Sequence, residues 1–195
     1  MKQTTKQRAL LEGRALLQKH GYNGFSFQTI ADKLGIKKPS LYDHFASKDA
    51  LVIAIIADYS NRFDVWVQTL QDLRPLERVR RVFDVFHAFA ADRAKVCPIL
   101  ALSADFQDLS RTIQKDMQRF VDKWLGWLEQ QLRDGQELGD IRCDVTPNKL
   151  AGFIYSQAMG AQCQARIRKD PSLTLSSGAQ MVLLIQNSPP GQVLG

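Results

Sequence analysis

The chain has 195 residues, enough for one or two domains with a sizeable core, and its 45% hydrophobic and 24% charged residues are those of an ordinary soluble globular protein. No apolar stretch reaches the about 18 unbroken residues that a membrane span needs. No basic start precedes an apolar run, so no signal peptide is expected, and Cys97, Cys143 and Cys163 are too few and too scattered for a disulfide framework or a metal site, which points to a reducing cytosol. The net charge of +6 is uneven: residues 1–50 hold nine Lys or Arg against four Asp or Glu, whereas the other 145 hold 17 against 16. A small basic module on a nearly neutral larger one favours a polyanionic partner through counterion release, unless the charge merely solvates one face.

Helical spacing of Ala9, Leu10, Ala15, Leu16 and Leu17 predicts a first helix over residues 4–20, closed by Gly21. Lys2, Lys6 and Arg8 at its start are either a basic arm for a flanking groove or a frayed, solvated terminus. Gly21–Phe25 is a turn with Phe25 as a core plug, and Ser26 is a candidate cap for a helix from Phe27. Ile30, Ala31 and Leu34 give that helix one apolar face; Gly35 ends it as a left-handed cap, and Pro39 fits the first turn of the next. In that next helix Leu41 and Phe45 face inward, while Ser40, Tyr42, Asp43 and His44 face out. A short helix with a polar, aromatic and basic outer face after a glycine turn is the helix-turn-helix pattern. A long helix then fits Lys48 to about Leu73, with Ser47 as its cap and Arg74-Pro75 as its break.

Gly35-Ile36, Leu41-Tyr42, His44-Phe45 and Ser47-Lys48-Asp49-Ala50-Leu51 resemble the signature of the tetracycline-repressor family of bacterial transcription regulators. The match covers about the first quarter of the chain. One departure is Lys37-Lys38, where many members carry a small hydroxyl residue before the second helix of the motif. Lys38 and Ser40 are the candidates for base edges, with Lys37 beside them, since a lysine donates well to guanine acceptors in the major groove. Gln28, Thr29, Tyr42, His44 and Lys48 are the candidates for phosphate contact and positioning; for Tyr42 the alternative is a ring packed on its own bundle. A lysine in the first turn of a helix opposes the dipole, which makes sense at Lys48 if it answers a phosphate, the role that the resemblance implies.

Beyond residue 74 the expected elements are a helix from Pro75 to Asp92, a shorter one from Ala94 to Asp105, a long amphipathic one from Leu109 to about Asp134, a loop from Gly135 to Thr146, a helix from Pro147 to about Lys169 and a last one from Ser172 to Asn187. Pro189, Pro190 and Gly191 fall in an expected disordered tail. The chain thus reads as all-α: a helix-turn-helix domain over residues 1–50, a helical bundle over 51–188 and a tail over 189–195. The bundle is rich in Phe, Trp and Met. Aromatic residues at helical spacing are either plain core or a pocket, and the polar His87, Gln114, Tyr155 and Gln157 among them favour a cavity that orients a ligand. The resemblance implies a small-molecule pocket here, for which the candidates are Phe63, Trp66, Phe86, His87, Phe106, Met117, Phe120, Trp124, Tyr155 and Gln157, and an apolar or aromatic effector is expected. Ala151-Gly152, Ala158-Met159-Gly160-Ala161 and Ala165 allow close approach of a helix from the same chain or from a second one; the resemblance implies a homodimer through the last two helices.

The expected function is a homodimeric, ligand-responsive transcription regulator, a repressor by resemblance, which binds double-stranded operator DNA in the cytoplasm and leaves it when a small molecule binds the bundle. No cofactor is called for. An enzyme is the first competitor, but His20, His44 and His87 lack metal-ligand spacing, and there is neither a nucleophile motif nor a glycine-rich phosphate loop. The second is a DNA-binding protein without a small ligand. Cys97 before Pro98, with Lys95 nearby, is either an oxidant-sensing thiolate or a small buried apolar residue.

Overall fold

A computed structural model describes residues 3–92 and 95–187. Lys2, the start of the expected Ala94–Asp105 helix and the 189–195 tail lie outside them. Among the described residues there are nine α-helices and no strand: α1 (Thr5–His20), α2 (Phe27–Leu34), α3 (Pro39–Tyr42), α4 (Lys48–Gln68), α5 (Pro75–Ala91), α6 (Pro98–Ser103), α7 (Arg111–Glu137), α8 (Pro147–Arg168) and α9 (Ser172–Ile185), with a 3-10 turn over Phe106–Asp108. Four of them, α3, α5, α6 and α8, begin with proline at the first position, where a missing N–H leaves no bond unmade. No described helix is long and apolar enough to cross a membrane.

The described residues form two compact units. The first combines the chain up to Val67 with Lys95–Phe120; the second combines Gln68–Ala94 with the chain from Val121 on. The first unit therefore takes in more than residues 1–50. Leu16, Leu17, Ile30, Leu41, Phe45, Leu51 and Ile55 are all buried in it. The chain's return at Lys95 is held to α1 by a buried pair: the Gln18 side-chain amide donates to the Val96 carbonyl at 3.1 Å, and the Val96 N–H to the Gln18 carbonyl at 3.4 Å. In the second unit α5, α8 and α9 pack together. A Cβ on Gly178 of α9 would lie 2.7 Å from the Cβ of Phe83 in α5, so the closeness of these helices depends on that glycine.

Several expected boundaries move, for physical reasons. α4 stops at Gln68 rather than Leu73, because Arg78 takes up the carbonyls of Leu70, Gln71 and Leu73 at 2.6–3.0 Å and so satisfies a turn instead of a further helical turn. The expected Ala94–Asp105 helix is only Pro98–Ser103, since the residue before a proline is pushed out of the helical region and Cys97 is extended at φ −49°, ψ 135°. α7 continues through Gly135 to Glu137; Ile141, fully buried, packs against that glycine and leaves it no loop to open. α9 ends at Ile185 because Gln186 is extended and pairs with Ile141 in an isolated antiparallel bridge, flanked by bonds from Arg142 N–H to the Ile185 carbonyl and from Asn187 N–H to the Asp140 carbonyl.

Candidate nucleic-acid interface

The motif is built from its caps outward. The Ser26 hydroxyl accepts from the Thr29 N–H, and the Thr29 hydroxyl oxygen accepts in return from the Ser26 N–H, a closed capping box that starts α2. Gly35 adopts φ 66°, ψ 36°, the left-handed conformation, and turns the chain; the Ile36 N–H then reaches back to the Ala31 carbonyl at 3.1 Å. No side chain caps α3. In its place, Ser40 and Leu41 donate to the carbonyls of Lys37 and Lys38 at 3.0 Å, so both lysines sit in the turn that opens α3. Leu41 and Phe45 are buried below, while Lys37, Lys38, Tyr42 and His44 are exposed and Ser40 is half-buried.

Each expected contact residue has a definite state. Gln28 is exposed and bonded to Asp32 at 2.7 Å; Thr29 is committed to its cap. The ring of Tyr42 lies 5.0 Å from that of Phe27, so the side chain is packed on its own bundle on one side and half exposed on the other. Lys48, at the start of α4, holds its ammonium 4.2 Å from the ring centre of Tyr22 and 4.7 Å from that of Phe25. Burial draws its pKa down, and the nearby Asp105 and Asp49 carboxylates oppose that shift. Tyr22 donates its hydroxyl to Asp49, and burial with that bond pushes its pKa up to about 12.

At the start of α1, Lys6 lies 6.0 Å from the Phe45 ring centre and Arg8 donates to the Leu34 carbonyl at 3.1 Å, so Arg8 caps the end of α2. Tyr22, Asp49 and Asp105, the partners of Lys48, were not among the expected site residues; the aromatic at Tyr22 in a glycine-flanked turn was the one local signal for them.

The residues expected to line a pocket fall into separate clusters. In the first unit Phe63 stands 5.9 Å from Trp66 and 6.3 Å from Phe120, with Met117 also buried. In the second, Phe86, Trp124 and Tyr155 form a triangle with ring centres 6.1–6.4 Å apart. His87 bonds through Nδ1 with the Pro171 carbonyl and the Thr174 hydroxyl of the turn into α9. Gln157 is exposed and donates to Ser177, and Phe106 sits half-buried in the 3-10 turn, its carbonyl taken by Gln114. Two surface clefts of the second unit, about 370 and 500 Å³, are lined by other residues: Arg74, Glu77 and Arg80 among them in one, Arg142, Leu183 and Leu184 in the other. Cys97 is buried, and burial outweighs the amides at Ile99 and Leu100 to push its thiol up to about 11. That is the environment of a protonated, enclosed thiol rather than of a reactive thiolate. No group of three or more His, Cys, Asp or Glu among the described residues could hold a metal ion.

Comparison with known proteins bears on this surface. The family described as bacterial regulatory proteins, tetR family, matches residues 10–55, and the tetracyclin repressor-like C-terminal domain matches residues 75–176. The HTH-type transcriptional repressor DhaR of Mycobacterium sp. (strain GP1) is 26% identical over 172 residues, covering 85% of this chain and 84% of that protein. A TetR-family transcriptional regulator from Agrobacterium tumefaciens superimposes with a TM-score of 0.88 at 24% identity, covering 93% of this chain and 97% of that one. A TetR transcriptional regulator from Legionella pneumophila does so with a TM-score of 0.86 at 27% identity, covering 94% and 98%.

Proposed function

Because the chain belongs to the tetR family of bacterial regulatory proteins and is therefore a ligand-responsive, DNA-binding repressor rather than an enzyme, we propose that two copies read one operator in the cytoplasm, each placing α3 in the major groove, and release it when an apolar or aromatic small molecule binds the helical region after residue 50. The observation that carries the reading is the one-turn α3: Leu41 and Phe45 anchor it from below, and Lys37 and Lys38 open it from the exposed side. Lys38 and Ser40 reach base edges, with Lys37 at their flank. Gln28, Thr29, Tyr42, His44 and Lys48 meet phosphates and fix the register. The rings of Tyr22 and Phe25 hold the Lys48 ammonium in place, and its partly exposed side chain is the one offered to a phosphate.

The second copy pairs through α8 and α9. Phe153, Gly160 and Ile167, seven residues apart, lie on the exposed side of α8, and Phe153 and Ile167 are 53% and 79% exposed. Nothing lies within 4 Å of a Cβ built on Gly160, so a second helix has room there. Leu175, Leu183 and Leu184 of α9 are also exposed. The effector-binding region takes its apolar walls from the cluster of Phe86, Trp124 and Tyr155 in the second unit. Ligand and operator oppose each other by reciprocal linkage.

The test is selection of duplexes from a random library with the full chain, followed by a thermal-shift screen of small molecules. The reading requires an enriched inverted repeat with half-sites one or more helical turns apart, and a stabilising compound that releases it. Enrichment of no sequence, with only salt-sensitive binding to every duplex, would overturn it.

A further inference from the structure

One carboxylate outside the helix-turn-helix meets the module that carries it at several points. Asp105 lies between α6 and the 3-10 turn, 83 residues in sequence from the loop that joins α1 to α2. Its Oδ2 accepts the Tyr22 backbone N–H at 3.1 Å, and its Oδ1 accepts the Asn23 side-chain amide at 2.9 Å. Tyr22 continues the connection: its ring lies under the Lys48 ammonium and its hydroxyl donates to Asp49. The segment bearing Asp105 is fixed at its other end by the Gln18–Val96 pair and packs α6 on α1, with Ile99 and Leu102 buried. A carboxylate that accepts two bonds from a short loop gives that loop one seat, and charge-assisted bonds are the stronger kind.

We propose that Asp105 is a positioning residue for operator recognition: by holding Tyr22 and Asn23 it sets where Lys48 and the start of α2 stand, and so ties the seat of the DNA reader to the segment around α6. The assignment rests on the operator reading above and deepens it. Asp105 touches no DNA. It acts through the α1–α2 loop, and a displacement of the α6 segment shifts that loop with it. Its removal lets the loop and α2 shift, so that the base contacts of α3 lose their register on the operator, while Lys48 keeps its charge and still meets a phosphate on any duplex, where no fixed register is required.

The experiment measures binding of the full chain, across a salt series, to the operator selected from a random library and to an unrelated duplex. D105N keeps the shape of the side chain but sets an amide N–H₂ group against that of Asn23. The operator Kd should rise about ten-fold, with the unrelated-duplex Kd within two-fold and the salt slope unchanged, because the slope counts phosphate contacts. N23A, which removes one bond and leaves the carboxylate, should raise the operator Kd about three-fold. The double variant should be no weaker than D105N alone, as expected of two changes to one interaction. Amide exchange at Tyr22 should quicken in D105N. If D105N does not fold, N23A decides alone. Operator affinity within two-fold of the parent in the folded variants, or operator and unrelated duplex weakened equally alongside a lowered melting temperature, would sink the assignment. A library that yields no operator overturns the operator reading itself and the assignment with it, whereas an operator bound equally by parent and variants overturns the assignment alone.

Discussion

Lys48 begins a 21-residue helix with its positive charge at the end that repels it, and the rings of Tyr22 and Phe25, with the carboxylates of Asp49 and Asp105, offset that cost. Cation–ring contact is worth about 0.5–1 kcal/mol at a partly exposed site, comparable to the dipole cost. The two rings thus fix where the ammonium stands, which is where the proposed phosphate contact needs it. Replacing Lys48 by Ala should weaken every duplex alike and lower the salt slope by about 1, whereas replacing Lys38 by Ala should leave unrelated duplexes nearly as before and relax the base preference; filter binding at several salt concentrations separates the two. Tyr22 adds a pH dependence. An unfolded tyrosine loses its proton near pH 10, while the folded one holds it to about 12. Its contribution to stability is therefore complete below about pH 10 and is lost as pH rises towards 12. Unfolding midpoints in denaturant across that range should fall less steeply in Y22F than in the parent.

At the scale of elements, most helix starts were written in the sequence, although α6 starts at Pro98 and not at the expected Ala94, and several of the ends were not. Pro39, Pro75, Pro98 and Pro147 each open a helix because an absent N–H and a preset φ favour one place only. Gly35 and Ser26 were legible for local reasons of their own, a left-handed cap at the end of α2 and a hydroxyl that accepts from its first turn. The end of α4 depends on Arg78, the end of α7 on Ile141 and the end of α9 on a single bridge, all supplied by residues that periodicity does not consult. In the site, the exposed side of α3 followed from its own spacing. The partners of Lys48 did not, because Tyr22 and Asp105 reach it from distant stretches of chain. A helix contact with no sequence signal gives a test. Replacing Gly178 by Ala drives a Cβ to 2.7 Å from that of Phe83, where little can yield. The expected loss is about 1–3 kcal/mol, partly offset by alanine's better helix propensity; a urea titration should show a lower midpoint with an unchanged slope.

For the whole molecule the proposed pairing carries the main consequence. If α8 and α9 form the contact between copies, a charge at Phe153 is buried unpaired in the pair and solvated in the single chain. F153D should therefore sediment as one chain with unchanged helical content. Its operator affinity should fall by about 100-fold or more, because the second half-site no longer binds at the high effective concentration that linkage provides. A pair that persists in F153D and I167E alike would place the contact elsewhere on the surface.

The α1 side of the Gln18–Val96 pair is reached by a stretch of chain that leaves after Val67 and comes back at Lys95. The reader is consequently not a detachable cassette. A hybrid regulator spliced near residue 50, with a foreign sensor behind it, would strip Val96, Ile99 and Leu102 from the side of α1 and leave the Tyr22 loop without its acceptor. Recombination of specificities should succeed only when the donor of the first helices also supplies residues 95–120, so that the heritable unit of DNA recognition in this chain is two segments rather than one.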